Sequence, residues 1–192
     1  MKKFTSFLTV ALMALMSLTF TSCDEDSDIA YTLDGTWKGN MYVEYGNYDA
    51  TYSVIRFDQN DGLYSGTGYW IDYFSGNYWG GRDYIANRIS WTVRNGNIYI
   101  DLLDERSSVV IYDYALSDRK FSGYVESNNG NRAYFEMYRD SYSYNWRDYD
   151  WGYDWGYDKF DSSLGVGEIQ SRAASSDTVK VAEKPERKFV VK

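Results

Sequence analysis

Residues 88–102 read RISWTVRNGNIYIDL, and this stretch decides the fold. Asn95-Gly96 is a dipeptide preferred in the two-residue type I′ turn that joins antiparallel strands. On both sides of this turn apolar and polar residues alternate, which is the period of a strand with one buried and one solvated face. The apolar members are Ile89, Trp91, Val93, Ile98, Ile100 and Leu102. The stretch therefore predicts a β-hairpin with one buried face.

Similar runs rich in Tyr, Val, Ile, Trp and Phe continue in both directions between Leu33 and Arg139, without a sustained helical period. Two further hairpin dipeptides are Asp61-Gly62 and Asn129-Gly130, and residues 74–87 form a longer predicted loop. The predicted strands are 36–45, 51–57, 63–73, 88–94, 97–103, 108–116, 119–126 and 132–139. Such a series predicts an all-β fold, an eight-stranded antiparallel up-and-down barrel, with a β-sandwich as the alternative.

Side-chain parity assigns an inward and an outward face to each predicted strand, since alternate residues of a strand face opposite sides of the sheet. In strand 36–45 the inward set includes Trp37 and ends at Tyr45. In strand 63–73 we expect Tyr69 and Tyr73 to face inward, which places Asp72 on the outside. Strands 51–57 and 108–116 show no clean alternation, so the sequence does not assign an inward face to them.

The first 22 residues predict a signal peptide. Lys2 and Lys3 precede an uncharged stretch, residues 4–20, that is shorter than a typical membrane span and contains Thr and Ser. Residues 17–23 (SLTFTSC) resemble the lipobox at which bacterial lipoproteins are cleaved and lipidated. The resemblance implies that Cys23, the one cysteine of the chain, carries a lipid anchor. A retained membrane span and a standard signal with an idle thiol are the alternatives.

A cluster of acids follows Cys23 in residues 23–32, which we expect to form a linker. In surface lipoproteins of Bacteroidota, acids beside the lipidated cysteine direct export to the outer face of the outer membrane. Asp24, Glu25 and Asp26 resemble that export signal. The resemblance implies a lipid-anchored outer-membrane protein at the cell surface. The periplasmic face of the membrane, or a plain solvated spacer, is the alternative.

Gly35 and Trp37 begin the first predicted strand, and Arg139 ends the last one. In a closed barrel these two strands pair, so the Arg139 guanidinium can stack on the Trp37 ring. The motif Leu-x-Gly-Thr-Trp-x-Gly at residues 33–39 is similar to the Gly-x-Trp start of the lipocalin-like fold in small bacterial lipoproteins. This resemblance covers residues 33–139 and implies a lipocalin-like barrel closed by Gly35, Trp37 and Arg139.

Composition argues against several functions. The chain has no histidine and one cysteine, which removes the commonest general base and the Cys- and His-rich metal sites. A net charge of -8, with no basic block in the predicted barrel, argues against nucleic acid as a partner. No inward pair of carboxylates for acid–base chemistry is expected, since the strand acids Glu44, Asp72, Asp101, Glu126 and Glu136 all have outward parity. We therefore expect no enzyme, no catalytic residues, no metal and no cofactor.

An aromatic-rich low-complexity segment, residues 140–160, follows the predicted barrel. It contains Trp-Gly-Tyr-Asp twice, at 151–154 and 155–158. We expect this segment to cover part of the barrel; stacking on sugar rings, docking on a partner and resting at a membrane interface are the alternatives. Residues 161–192 are rich in Ser, Gly, Lys and Glu, which predicts a disordered tail.

Three functions remain open. The first is a membrane-anchored binding barrel for a small apolar or aromatic ligand or a glycan, with Tyr45, Tyr69 and Tyr73 lining the mouth and Tyr78 and Trp79 covering it. The second is a structural or interaction subunit with a filled barrel, whose aromatic segment docks on an envelope protein. The third is a hydrolase that uses an unrecognised acidic pair. The state of the barrel interior discriminates between them.

Overall fold

The computed structural model describes residues 21–60, 63–77, 81–152 and 186–191, with side chains from Glu25 onward. Residues 1–20 of the predicted signal peptide (1–22), the turn Asp61-Gly62, residues 78–80 with Tyr78 and Trp79, residues 153–185 and Lys192 lie outside the described residues.

The described residues form one α-helix, ten strands and one short 3-10 helix. In chain order they are α1 (Thr21–Leu33), β1 (Gly35–Asn40), β2 (Val43–Tyr45), β3 (Tyr48–Gln59), β4 (Ser65–Phe74), β5 (Tyr84–Arg94), β6 (Asn97–Leu102), β7 (Ser107–Leu116), β8 (Lys120–Ser127), β9 (Arg132–Arg139), the 3-10 helix (Trp146–Asp148) and β10 (Arg187–Phe189).

Eight of the strands, β1 and β3 to β9, close into an antiparallel barrel. Strands β3 to β9 pair in sequence order, and β1 pairs with both β3 and β9. Trp37 of β1 lies opposite Ile55 of β3 on one side and opposite Arg139 of β9 on the other. The predicted eight-stranded antiparallel barrel is therefore confirmed.

The first predicted strand, residues 36–45, divides in two. The chain leaves extended geometry at Tyr42, where φ is +53°, and continues as β2. Strand β2 pairs with β3 on one edge and with β10 on the other. Because of this division, β2 is a separate strand with which β10 can pair.

Large side chains fill the barrel interior. Trp37, Phe57, Trp70, Phe121 and Phe135 are all 0% exposed and belong to one continuous apolar cluster. Burial of each such side chain contributes about 1.5–3 kcal/mol. Of the outcomes considered for the interior, the described residues show the filled barrel.

Helix α1 covers one end of the barrel, which we call the closed end. Its residues Ala30 and Leu33 join the core, and the Asp26 carboxylate accepts hydrogen bonds from the backbone N–H groups of Asn95 (3.0 Å) and Gly96 (2.9 Å) in the β5–β6 turn. Residues 23–32, expected to be a linker, are thus helical and packed against the barrel. Within the described residues, no helix is long and apolar enough to span a membrane.

The expected parity of strand 63–73 is wrong. In β4 the inward side chains are Trp70, Asp72 and Phe74, all buried, while Tyr69 and Tyr73 face outward. The sequence misleads because β4 is apolar on both faces: outward Ile71 is also fully buried.

Strand β10 lies at the opposite end, which we call the mouth. Arg187, Lys188 and Phe189 pair with Tyr45, Glu44 and Val43 of β2, and β10 also contacts β8 and β9. Residues 187–189 belong to the stretch expected to be a disordered tail, and this part of that expectation is incorrect. Both ends of the barrel are therefore covered.

Candidate functional site

The closed end brings together the three residues of the predicted closure. The Arg139 guanidinium carbon lies 4.4 Å from the centre of the Trp37 ring. The guanidinium donates to the carbonyl oxygens of Asp118 (2.7 Å), Asp34 (2.5 Å) and Thr32 (2.6 Å). Gly35 adopts a φ of +134°, a conformation that favours glycine, and a Cβ there would lie 2.1 Å from Arg139 Nη1. The Trp37 indole N–H donates to the Leu33 carbonyl oxygen at 2.8 Å, so this end is tied to α1 and offers a structural role.

The mouth contains a second arginine, buried among acids. Arg187 Nη2 lies 2.8 Å from Asp72 Oδ2 and 2.8 Å from Glu105 Oε1. The guanidinium carbon lies 5.1 Å from the Tyr45 ring centre and 4.8 Å from the Trp70 ring centre. We call Tyr45, Trp70, Asp72, Asn87 and Glu105 the mouth pocket.

Hydrogen bonds between neighbouring strands hold the acids of the mouth pocket in place. Asp72 Oδ1 accepts from the Ser53 hydroxyl at 2.6 Å and from the Trp70 indole N–H at 2.9 Å. Glu105 Oε1 accepts from the Asn87 amide at 2.6 Å and from the Tyr45 hydroxyl. These partners come from β2, β3, β4 and β5, so only the closed barrel assembles the pocket.

Burial governs the electrostatics of the mouth pocket. The side chains of Arg187, Asp72 and Glu105 are 3%, 0% and 4% exposed. Burial raises the pKa of Asp72 above its usual range, and the positive charge of Arg187 opposes that rise. The ionised form of Asp72 therefore depends on the buried cation.

A second feature lies outside the barrel, where residues 140–152, which we call the aromatic cover, pack on β4 and β5. The Tyr69 ring stacks on Trp146 at 5.0 Å and on Trp151 at 4.8 Å between ring centres. The Tyr73 hydroxyl bonds to the Tyr149 hydroxyl at 2.5 Å. The backbone N–H of Gly152 donates to the Ala86 carbonyl oxygen at 3.0 Å. The cover thus packs on the outer face of β4, the face that the sequence alternation predicts to be the inner one.

A groove opens where the aromatic cover leaves the barrel. We call it the outer groove; it measures about 610 Å³ and is lined by Lys38, Tyr52, Tyr138, Arg139, Asp140, Tyr142 and Tyr144. Tyr138 and Tyr142 are 52% and 68% exposed, so they contribute accessible aromatic surface. Lys38 Nζ lies 4.5 Å from the centre of the Tyr52 ring. The groove therefore combines exposed rings with a cation.

An anion completes the outer groove. Asp140 Oδ1 accepts from the backbone N–H of Tyr142 (2.9 Å), and Oδ2 accepts from the Tyr144 hydroxyl (2.7 Å). Burial of Asp140 favours its neutral form, but these two hydrogen bonds and the nearby charge of Lys38 outweigh it, so the pKa of Asp140 lies below its usual range. The groove carries an ionised acceptor at neutral pH.

The predicted ligand-lining tyrosines do not form one site. Tyr45 lies inside the mouth and is fully buried. The predicted inward positions of Tyr69 and Tyr73 are wrong, since both rings pack beneath the aromatic cover. Tyr78 and Trp79 lie outside the described residues.

Sequence reasoning missed the inward carboxylates. Asp72 has inward rather than outward parity. Glu105 lies in the turn between β6 and β7, where the sequence pattern indicates no role for it. The glycines of β4 are a usable signal: a Cβ on Gly66 would lie 2.7 Å from the ring of inward-facing Trp91. A glycine opposite a large inward residue places the even-numbered residues of β4, including Asp72, inside.

Among the described residues, no group of three or more acidic, histidine or cysteine side chains is arranged to hold a metal ion. Arg187 bridges the buried Asp72 and Glu105. The chemistry that both sites offer is recognition through rings, charges and hydrogen bonds.

Comparison with known proteins gives one match. No curated protein and no solved structure matches the chain. Residues 33–123 match the family model of the lipocalin-like domain. The match begins at Leu33, the first residue of the Leu-x-Gly-Thr-Trp-x-Gly motif, and ends at Gly123 within β8. Together with the closed antiparallel sheet, it shows that the chain carries a lipocalin-like β-barrel.

Proposed function

We propose that this chain is a lipid-anchored outer-membrane lipoprotein that binds a glycan in the outer groove. The observation that carries the proposal is the combination of exposed tyrosine rings with the ionised Asp140 and with Lys38. The apolar face of a sugar ring packs on such rings, while its hydroxyls bond to fixed polar groups. The filled barrel supports a site on the outside rather than in the interior.

The anchor at Cys23 supports an accessible mouth and flank. Asp26 is bonded to the β5–β6 turn at the closed end, and Cys23 precedes it by less than one turn of α1, about 4.5 Å along the axis. A lipid on Cys23 would hold the closed end against the membrane. The mouth would then face away from the membrane, at the cell surface or in the periplasm.

Binding of oligosaccharides to the full mature chain tests the site. Tyr142→Ala removes the most exposed ring of the groove and is expected to weaken binding at least tenfold in a glycan array followed by calorimetry. Tyr31→Ala is the matched control, because Tyr31 is 78% exposed on α1 and lies outside the groove. The proposal fails if no oligosaccharide binds, or if both variants bind as the unchanged chain does.

Membrane fractionation tests the anchor. Cys23→Ala is expected to move the protein to the soluble fraction and to abolish lipid labelling. For the export signal, Asp24→Ala with Glu25→Ala should reduce protease accessibility on intact cells while keeping the structural bonds of Asp26. Unchanged fractionation, or unchanged accessibility, contradicts the corresponding part of the proposal.

The alternative, an interaction subunit that docks on an envelope protein, is supported by a second surface. Tyr124 and Tyr134 project from β8 and β9, are 39% and 49% exposed, and pack edge to face with 5.5 Å between ring centres. Tyrosine is enriched at protein interfaces because its ring buries area while its hydroxyl bonds. Tyr134→Ala should abolish capture of an envelope partner if this alternative holds, and leave glycan binding unchanged if the groove is the site.

A further inference from the structure

The short strand β10 occupies the mouth pocket in the manner of a bound peptide. Residues 153–185 separate it from the aromatic cover. Its backbone pairs with the edge of β2 in antiparallel register, and the Val190 N–H donates to the Tyr42 carbonyl oxygen at 2.9 Å. Addition of a strand to a free sheet edge is a common mode of peptide recognition, in which the backbone supplies affinity and alternate side chains supply specificity.

The mouth pocket contacts the alternate side chains of β10. Arg187 is bridged by Asp72 and Glu105, with Nε also 3.0 Å from Glu105 Oε2. Phe189 is 4% exposed, and its ring centre lies 6.4 Å from that of Trp70. Lys188, between them, is exposed. The pocket therefore recognises an arginine and, two residues later, an aromatic residue.

The strand does not satisfy the pocket completely. Within the described residues, Asn87 Oδ1 and Arg187 Nη1 are buried without a hydrogen-bond partner. Each such unpaired buried group is destabilising relative to a paired one. A strand held by few residues, with unpaired polar atoms around it, is suited to exchange.

From this geometry we infer that the mouth pocket is a binding site for an extended peptide strand with an Arg-x-aromatic pattern, which β10 occupies within its own chain and which the same pattern on another polypeptide can replace. This site is independent of the outer groove. A strand on the same chain competes at an effective concentration on the order of millimolar, so displacement requires a vacated pocket or a high concentration of peptide.

The first test vacates the pocket in the full mature chain. Arg187→Ala is titrated with a fluorescent synthetic peptide of residues 184–191 (KPERKFVV), and binding is followed by anisotropy. We expect this variant to bind the peptide at least tenfold more tightly than the matched variant Lys188→Ala, which loses a cation outside the pocket. The same peptide with alanine in place of its arginine should bind at least tenfold more weakly. Equal binding of the two peptides by a folded variant, or no binding, overturns the inference.

A second test does not depend on the folding of Arg187→Ala. A specific protease site replaces residues 166–172, and the chain is cut after folding, so that β10 remains seated without its tether. Labelled KPERKFVV in excess should then enter the barrel and release the native fragment, as resolved by native mass spectrometry. Failure of the peptide to exchange, or exchange by the alanine peptide at the same rate, overturns the inference.

A mixing experiment identifies the source of the incoming strand. Two differently tagged full chains are incubated together at high concentration. Co-purification that is lost in Arg187→Ala identifies a second copy of this chain as the donor. Peptide exchange without co-purification supports a separate Arg-x-aromatic peptide as the donor.

Discussion

The two ends of the barrel each hold an arginine over a tryptophan ring, at 4.4 Å for Arg139 on Trp37 and 4.8 Å for Arg187 on Trp70. At the closed end the guanidinium is partly solvated and donates to three neutral carbonyl oxygens. At the mouth it is 3% exposed and is neutralised by two buried carboxylates.

The two arginines differ in what their removal leaves behind. Removal of Arg139 leaves no buried charge behind, because its partners are neutral carbonyl groups that water can reach. Removal of the buried Arg187 breaks its ion pairs with Asp72 and Glu105, which is far more costly. The closed end therefore has a structural role, whereas the mouth resembles an occupied binding site. Four predictions, on three substitutions, test this contrast.

Loss of the ring at the closed end should have the largest effect. Trp37→Ala removes a fully buried indole, its hydrogen bond to Leu33 and the surface on which Arg139 lies. We expect the free energy of unfolding to fall by about 5 kcal/mol, the upper part of the range for such truncations. Urea denaturation of the full chain measures it. Trp146→Ala, on the outer face, is the control and should cost less than half as much; equal losses would contradict a closure built on Trp37.

Loss of the cation at the mouth should be the next largest. Arg187→Ala leaves two buried carboxylates without their ion-pair partner and is expected to destabilise the chain by about 3–4 kcal/mol at pH 7. Lys188→Ala, in the same strand but exposed, should change stability by less than about 0.5 kcal/mol. A loss below 1 kcal/mol in Arg187→Ala would show that the acids need no cation.

The cost of Arg187→Ala should depend on pH. Burial already raises the pKa of Asp72, and removal of Arg187 removes the charge that opposes this rise. A folded-state pKa above the unfolded value contributes stability at low pH that is lost as pH rises through the folded-state pKa. Denaturation at pH 5 and pH 8 should therefore show a cost that is larger at pH 8 than at pH 5. A cost independent of pH would contradict the buried acids as its cause.

Loss of the cation at the closed end should have the smallest effect. Arg139→Ala removes hydrogen bonds to carbonyl groups that water can reach and a ring contact worth about 0.5–1 kcal/mol, so we expect a loss of about 1–2 kcal/mol. Arg94→Ala is the control, because Arg94 lies over Tyr99 at 4.7 Å but is exposed. A loss in Arg139→Ala as large as in Arg187→Ala would remove the distinction between the two ends.

Hairpins and closure could be predicted because they depend on neighbours in sequence or on neighbouring strands. Asn95 and Gly96 adopt φ of +52° and +75°, as the type I′ dipeptide requires. The pairing of Trp37 with Arg139 follows from closing an antiparallel series of strands, since its first and last members must meet. The ambiguity of strand 108–116 has a local cause, since β7 contains a register shift between Tyr112 and Ala115 that reverses the alternation. In strand 51–57 the outward Val54 is as fully buried as the inward Ile55, so apolar residues occupy both faces.

The sequence by itself determined the strands, their order and the face that most of them bury, because a two-residue period and turn chemistry act over a few residues. Only the tertiary structure decided the orientation of β4 and the contents of the mouth. Residues 140–152 cover β4 from outside, so apolar residues occupy both of its faces. The alternation of apolar and polar residues then no longer indicates which face is inward. Arg187 meets Glu105 across 82 residues of sequence. A buried acid is compatible with a core only beside its cation, and no local pattern indicates a partner that distant.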